Sequence, residues 1–147
     1  MPSLTRTLAS GLLLALAASN VAAAGIDEIF REQDSNGDGA LSVEEARAAA
    51  PATFRSIDRD GDGIVTAEDI AAYTVAEGDP DMVWPAQVLA SVAQATLELW
   101  DGNRDGKVTE QEYAQAAVDL MLLADTDGDR RVTREELQRF RGEPVTP

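Results

Sequence analysis

Apolar residues are distributed along the chain in two different ways. Residues 8–18 (LASGLLLALAA) form an almost unbroken apolar run. From residue 26 onward, apolar side chains instead recur at helical spacing in short blocks: Ile26, Ile29 and Phe30; Phe54 and Ile57; Ile70 and Tyr73; Val92, Leu97 and Trp100; Tyr113; Val118, Met121 and Leu122; Leu137 and Phe140. That spacing predicts short amphipathic helices facing a shared core. Residues 75–86 (VAEGDPDMVWPA) interrupt the pattern with Gly78, Pro80 and Pro85 and read as a linker. Trp84 within it is expected to plug a core, the alternative being a contact surface. The tail, residues 142–147, is expected to fray.

Between the helical blocks lie four polar windows that superpose on one another: residues 34–45 (DSNGDGALSVEE), 58–69 (DRDGDGIVTAED), 101–112 (DGNRDGKVTEQE) and 125–136 (DTDGDRRVTREE). Each has Asp first, Asp or Asn third, Asp fifth and an acid twelfth, and three have Gly sixth. Position eight is always apolar: Leu41, Val65, Val108 or Val132. A merely solvated acidic surface gives no reason for that fourfold recurrence.

Composition narrows the chemistry. The chain has 27 Asp and Glu against 12 Lys and Arg, with no Cys and no His. A net charge of −15 argues against nucleic-acid binding, which needs basic patches. Zinc fingers, thiol nucleophiles, Ser-His-Asp triads, disulfides and His- or Cys-held haem are excluded by residue type. Oxygen donors remain, and these suit Ca²⁺ or Mg²⁺. Eighteen of the acids lie inside the four windows, so metal ligation accounts for them and no catalytic constellation is visible among the rest.

The windows resemble the calcium loop of the EF-hand family, D-x-[DN]-x-[DN]-G-x5-E. In that pattern positions one, three and five converge on the ion, the seventh carbonyl and ninth side chain contribute, and the twelfth carboxylate closes the shell from the exit helix. The resemblance implies Asp34, Asn36, Asp38, the Ala40 carbonyl, Ser42 and Glu45 in the first loop. It implies Asp58, Asp60, Asp62, the Ile64 carbonyl, Thr66 and Asp69 in the second, and Asp101, Asn103, Asp105, the Lys107 carbonyl, Thr109 and Glu112 in the third. The fourth supplies Asp125, Asp127, Asp129, the Arg131 carbonyl, Thr133 and Glu136. Loops one and three keep every expected residue. Loop two ends in Asp69, one methylene short of Glu, which implies weaker binding and Mg²⁺ competition. Loop four has Arg130 where Gly belongs, a strain of about 1–2 kcal/mol that ranks it weakest. Arg131 and Arg134 add positive charge nearby, their side chains free to point to solvent.

Loop starts are 24 residues apart within each half of the chain and 43 apart across the middle. The expectation is an all-α fold with two EF-hand pairs, loop one with two and loop three with four, bridged through position eight. The twelve residues between paired loops suffice for two helices of about two turns, with Pro51 opening the second. The arrangement is similar to that of calmodulin, with shorter inter-loop helices. Compact secreted bacterial EF-hand proteins are closer in style. The expected organisation is a signal peptide (1–24), a first pair (25–74), a linker (75–86), a second pair (87–141) and a flexible tail (142–147).

Residues 1–24 have the layout of a cleavable secretory signal: Arg6, the apolar run, then Ala22 and Ala24 at the small-residue positions. The run is shorter than the ~20 residues of a spanning helix. The expectation is a secreted or periplasmic calcium-binding protein, with no nucleic-acid partner and no membrane attachment after cleavage. Calcium would serve structure or buffering. The alternative is a sensor or adaptor with a protein partner, disfavoured because only Met82 and Met121 remain after cleavage and the exit helices are Ala-rich. A dockerin-like module ranks lower, since apolar helices precede every loop.

Overall fold

The computed structural model describes residues 26–77, 81, 83–142 and 145. The expected signal peptide lies outside them, as do Gly78 and Pro80 of the linker. In chain order the elements are α1 (Ile26–Gln33), β1 (Ala40–Ser42), α2 (Val43–Ile57), β2 (Ile64–Val65), α3 (Ala67–Glu77), α4 (Ala86–Trp100), β3 (Val108–Thr109), α5 (Glu110–Leu122), β4 (Arg131–Thr133) and α6 (Arg134–Arg141). Each polar window thus sits between two helices and contains or adjoins one short strand.

The segment between loops one and two is one helix, not two. Ser42 caps α2, its hydroxyl accepting from the Glu45 N–H while the Glu45 side chain accepts from the Ser42 N–H. The helix therefore starts inside the window, at position ten, and runs 15 residues with Pro51 in its interior. Flanking alanines and buried Ala50 and Phe54 hold it through the proline. Helix α5 likewise runs from inside loop three to Leu122, two residues short of loop four, started by a capping box of Thr109 and Glu112.

That continuity changes which loops pair. A 15-residue helix is about 22 Å long, so it holds the loops at its two ends apart. Strand β1 pairs antiparallel with β4, setting Leu41 opposite Val132, and β2 pairs with β3, setting Val65 opposite Val108. The position-eight bridge forms as expected, but loop one joins loop four and loop two joins loop three. Helices α2 and α5 consequently lie antiparallel, shared by both halves of the molecule. The expected linker begins inside α3, which runs to Glu77, and ends inside α4, which starts at Ala86, and both helices contribute to one core.

Two cores flank the shared helices. One gathers Ala50, Phe54 and Ile57 from α2 with Val65, Ile70, Tyr73, Leu97, Trp100, Val108, Tyr113 and Leu120. Trp100 meets Tyr113 edge-on at 5.0 Å between ring centres, and Phe54 lies 6.0 Å from the same ring. The other gathers Ile29, Phe30, Leu41, Val43 and Ala46 with Val118, Met121, Val132 and Leu137. Three expected core residues fall outside both clusters. Trp84 and Val92 are half-buried, and Phe140 is exposed near the end of α6. Gly142 ends that helix in the left-handed conformation, its N–H bonding the Arg139 carbonyl.

A proline inside a helix is less favourable than alanine by about 3 kcal/mol. Pro51→Ala is therefore expected to raise the urea midpoint by the equivalent of about 1–3 kcal/mol. A proline opening a second helix would give no such gain.

Candidate metal centre

All four loops share one hydrogen-bond scheme. The position-one Asp accepts from the backbone N–H of position four on one oxygen and of position six on the other. For Asp101 these bonds come from Arg104 at 2.6 Å and Gly106 at 2.8 Å. Position three accepts from the N–H of position five: Asn36 from Asp38, Asp60 from Asp62, Asn103 from Asp105 and Asp127 from Asp129. Position five accepts from position seven, as Asp38 does from Ala40, Asp62 from Ile64, Asp105 from Lys107 and Asp129 from Arg131. Backbone donors thereby orient the oxygens of positions one, three and five around each loop before any ion arrives. The carbonyls of Ala40, Ile64 and Arg131 belong to the first residue of each strand, and Lys107 directly precedes β3.

Directing two N–H groups at one Asp requires left-handed backbone at positions four and six. Gly37, Gly61 and Gly128 have φ of 72°, 72° and 80° at position four; Gly39, Gly63 and Gly106 have 86°, 82° and 83° at position six. Arg130 takes the same conformation at φ 66°, as the strain argument expects. Arg104 is a second strained residue, at φ 63° in loop three, a loop whose ligand positions match the family pattern completely. Its signal was present in the sequence, since the other three windows all have Gly fourth. A Cβ built on any of these glycines meets nothing within 4 Å, so the cost is backbone strain and not collision.

Position twelve divides the loops. Glu45 Oε1 accepts from the Ser35 N–H at 2.9 Å, the Ser35 hydroxyl at 3.1 Å and the Asn36 N–H at 3.2 Å, while Oε2 takes the Ser42 N–H and hydroxyl. Glu136 does the same with Thr126 and Thr133. Burial pushes both carboxyls up, but these bonds outweigh it and hold each at about 2. Asp69 accepts from the Thr66 N–H and hydroxyl, with no bond to the start of loop two among the described residues, consistent with its shorter stem. Glu112 bonds Thr109 through Oε2, while its Oε1 is buried with no partner among the described residues. Gly102 offers no hydroxyl where loops one and four have Ser35 and Thr126.

Carboxylates converge most closely in loops two and four. Oxygens of Asp58, Asp60 and Asp62 lie within 4.8 Å of one another, as do those of Asp125, Asp127 and Glu136. Asp60 accepts the Asp62 N–H, which favours its charge; desolvation, the Asp62 and Asp69 charges and Asp58 together push its carboxyl above the usual range. An orphaned buried carboxylate oxygen and crowded like charges both fit a hard divalent cation, for which oxygen is the preferred donor.

Arg131 and Arg134 of loop four, though partly exposed, each pair with an acid. Arg131 reaches across the β1–β4 ladder and pairs with Asp38 of loop one. Arg134 pairs with Asp27 and lies over the Phe30 ring, 4.6 Å from its centre. Both partners come from the other end of the chain, so the sequence alone, with loop four assigned to loop three, offered no way to find them.

Four acid-lined loops, each between two helices and joined in pairs by short ladders, define a helix–loop–helix cation-binding protein. Residues 26–47, 52–72 and 117–140 match the EF-hand family model, covering loops one, two and four, and these three matches support an EF-hand calcium-binding family. Loop three lies outside the matched segments and has the same hydrogen-bond scheme as the others. No curated protein matches the chain.

Relieving strain should strengthen binding where strain exists. Arg130→Gly and Arg104→Gly are each expected to tighten one site by about tenfold in calorimetry, from the ~1–2 kcal/mol cost of left-handed backbone. Unchanged affinities would refute the strain argument.

Proposed function

We propose that this is a secreted or periplasmic calcium-binding protein whose calcium is mainly structural or buffering. The observation that carries this reading is the fourfold scheme of inward-held carboxylates, with crowded Asp side chains and the unpartnered Glu112 oxygen awaiting a cation. Residues 1–24 would direct export and be removed, a role supported by their composition. Outside the cytoplasm, modules of this kind work at dissociation constants near 10⁻⁴–10⁻³ M. With free calcium at ten times that value, each site would add about 1.4 kcal/mol to stability. Summed over several loops, that is comparable with the whole stability of an ordinary domain.

The residues that would hold the ions are those of positions one, three, five, seven, nine and twelve in each loop. A bound divalent cation would supply charge neutralisation and would draw helix ends together. The hydroxyls of Ser42, Thr109 and Thr133 already cap their helices, so loop closure and helix initiation share the same residues. Loop two, ending in Asp69, would be the least selective against Mg²⁺. A structural role is favoured over a sensor because Met121 is buried in a core instead of lining an open groove.

Calorimetry and tryptophan fluorescence, with Ca²⁺ titrated against Mg²⁺, test this. Trp100 precedes Asp101 and is buried with its indole N–H unpartnered among the described residues, so loop-three binding should register there. The expected result is saturable calcium binding with a rise in melting temperature. Absence of both would overturn the reading. Asp69→Glu is expected to raise the calcium preference of one site. Calcium-dependent capture of a defined partner, lost with chelator, would favour the adaptor reading, and an N-terminus at Met1 in the exported fraction would refute signal cleavage.

A further inference from the structure

Arg131 belongs to two loops at once. Its backbone is position seven of loop four, where the EF-hand pattern uses the carbonyl. Its side chain leaves that loop and pairs with Asp38 Oδ2, position five of loop one. The ladder register makes this possible, because Arg131 stands opposite Ser42 at the end of β1. Asp38 Oδ1 already accepts the Ala40 N–H at 3.1 Å, so both oxygens of this candidate ligand are engaged. The other lobe has no equivalent: among the described residues Lys107, at the same position in loop three, forms no ion pair.

We propose that Arg131 is a positioning residue that sets the calcium affinity of loop one from loop four. The proposal rests on the calcium-binding reading above. Its guanidinium acts as a tethered cation on Asp38, and an ion entering loop one must share or displace it. The two charges are each about 40% exposed, with relative side-chain areas of 40% and 39%, so the pair is a modest one. The Arg131 Nε is buried without a partner among the described residues, so the guanidinium is anchored by its terminal nitrogen and not by a two-point clamp. The coupling is reciprocal. An ion in loop one that frees the side chain alters the strand whose carbonyl serves loop four, and an ion in loop four restrains the residue that reaches loop one.

Calorimetry on the purified protein with CaCl₂ tests this, using wild type, Arg131→Gln and Arg131→Lys, each with and without Glu45→Gln to disable loop one. Arg131→Gln should tighten one site about two- to fivefold, the range of an exposed ion pair. Arg131→Lys, which keeps a cation on the strand, should fall between that variant and wild type. The gain should shrink at high salt and vanish in the Glu45→Gln background. An unchanged affinity in Arg131→Gln overturns the proposal, and so does a gain that survives Glu45→Gln, because the effect would then lie within loop four. Should Arg131→Gln fail to fold, judged by helicity in chelator, Arg131→Lys and Asp38→Asn still decide the matter: matching site affinities from both would overturn the proposal, since only Asp38→Asn removes the charge of a ligand. Failure of the wild type to bind calcium would instead refute the binding reading itself.

Discussion

The architecture depends on the stiffness of one helix shared by two loops. Helix α2 is at once the exit of loop one and the approach to loop two, and α5 plays the same part for loops three and four. Neither helix leaves room for its two loops to touch. Each loop must find its ladder partner on the other long helix, and antiparallel packing of α2 on α5 satisfies both pairs together. The apolar stripe Val43, Ala46, Ala50, Phe54 and Ile57 runs the length of α2 and feeds one core at each end. Small alanines near its middle suit close approach to the neighbouring helix.

Electrostatics and local folding act through the same atoms. Each acid that faces the loop interior also terminates a turn or caps a helix, so the backbone N–H groups that stabilise the loop are those that orient its charge. This makes the loops well formed and strongly repulsive at once. The two lobes handle the position-twelve carboxylate differently. Ser35 and Thr126 satisfy it from within the protein, whereas Gly102 leaves a Glu112 oxygen unmatched. Protein hydroxyls and a cation compete for the same oxygen in the first case only.

The loops were legible because ligand geometry binds residue type to position over a span of twelve, and no tertiary knowledge is needed. Pairing was not. Residues ten to twelve of each loop are already helical, so the residues that follow extend an existing helix; Pro51 looked like a boundary because a proline N–H is absent in either setting. With neighbouring loops assigned to each other, Arg131 and Arg134 had no visible partners, and their reach to Asp38 and Asp27 follows only from the true ladder. Arg104 was missed differently: the ligand positions of its loop match the pattern, and its signal, Gly at position four of the other three windows, lies outside those positions.

Pairing the first loop with the last also has a temporal side. Val65 and Val108 are about half as far apart along the chain as Leu41 and Val132. The extra loop closure costs only about 0.6 kcal/mol at equilibrium, but during synthesis the inner lobe has all its parts well before the outer one. Loops two and three can close while loop one still waits for residues 131–133 to be made. The inner pair of loops is therefore the shorter closure, and the outer pair brings the first and last loops together around it.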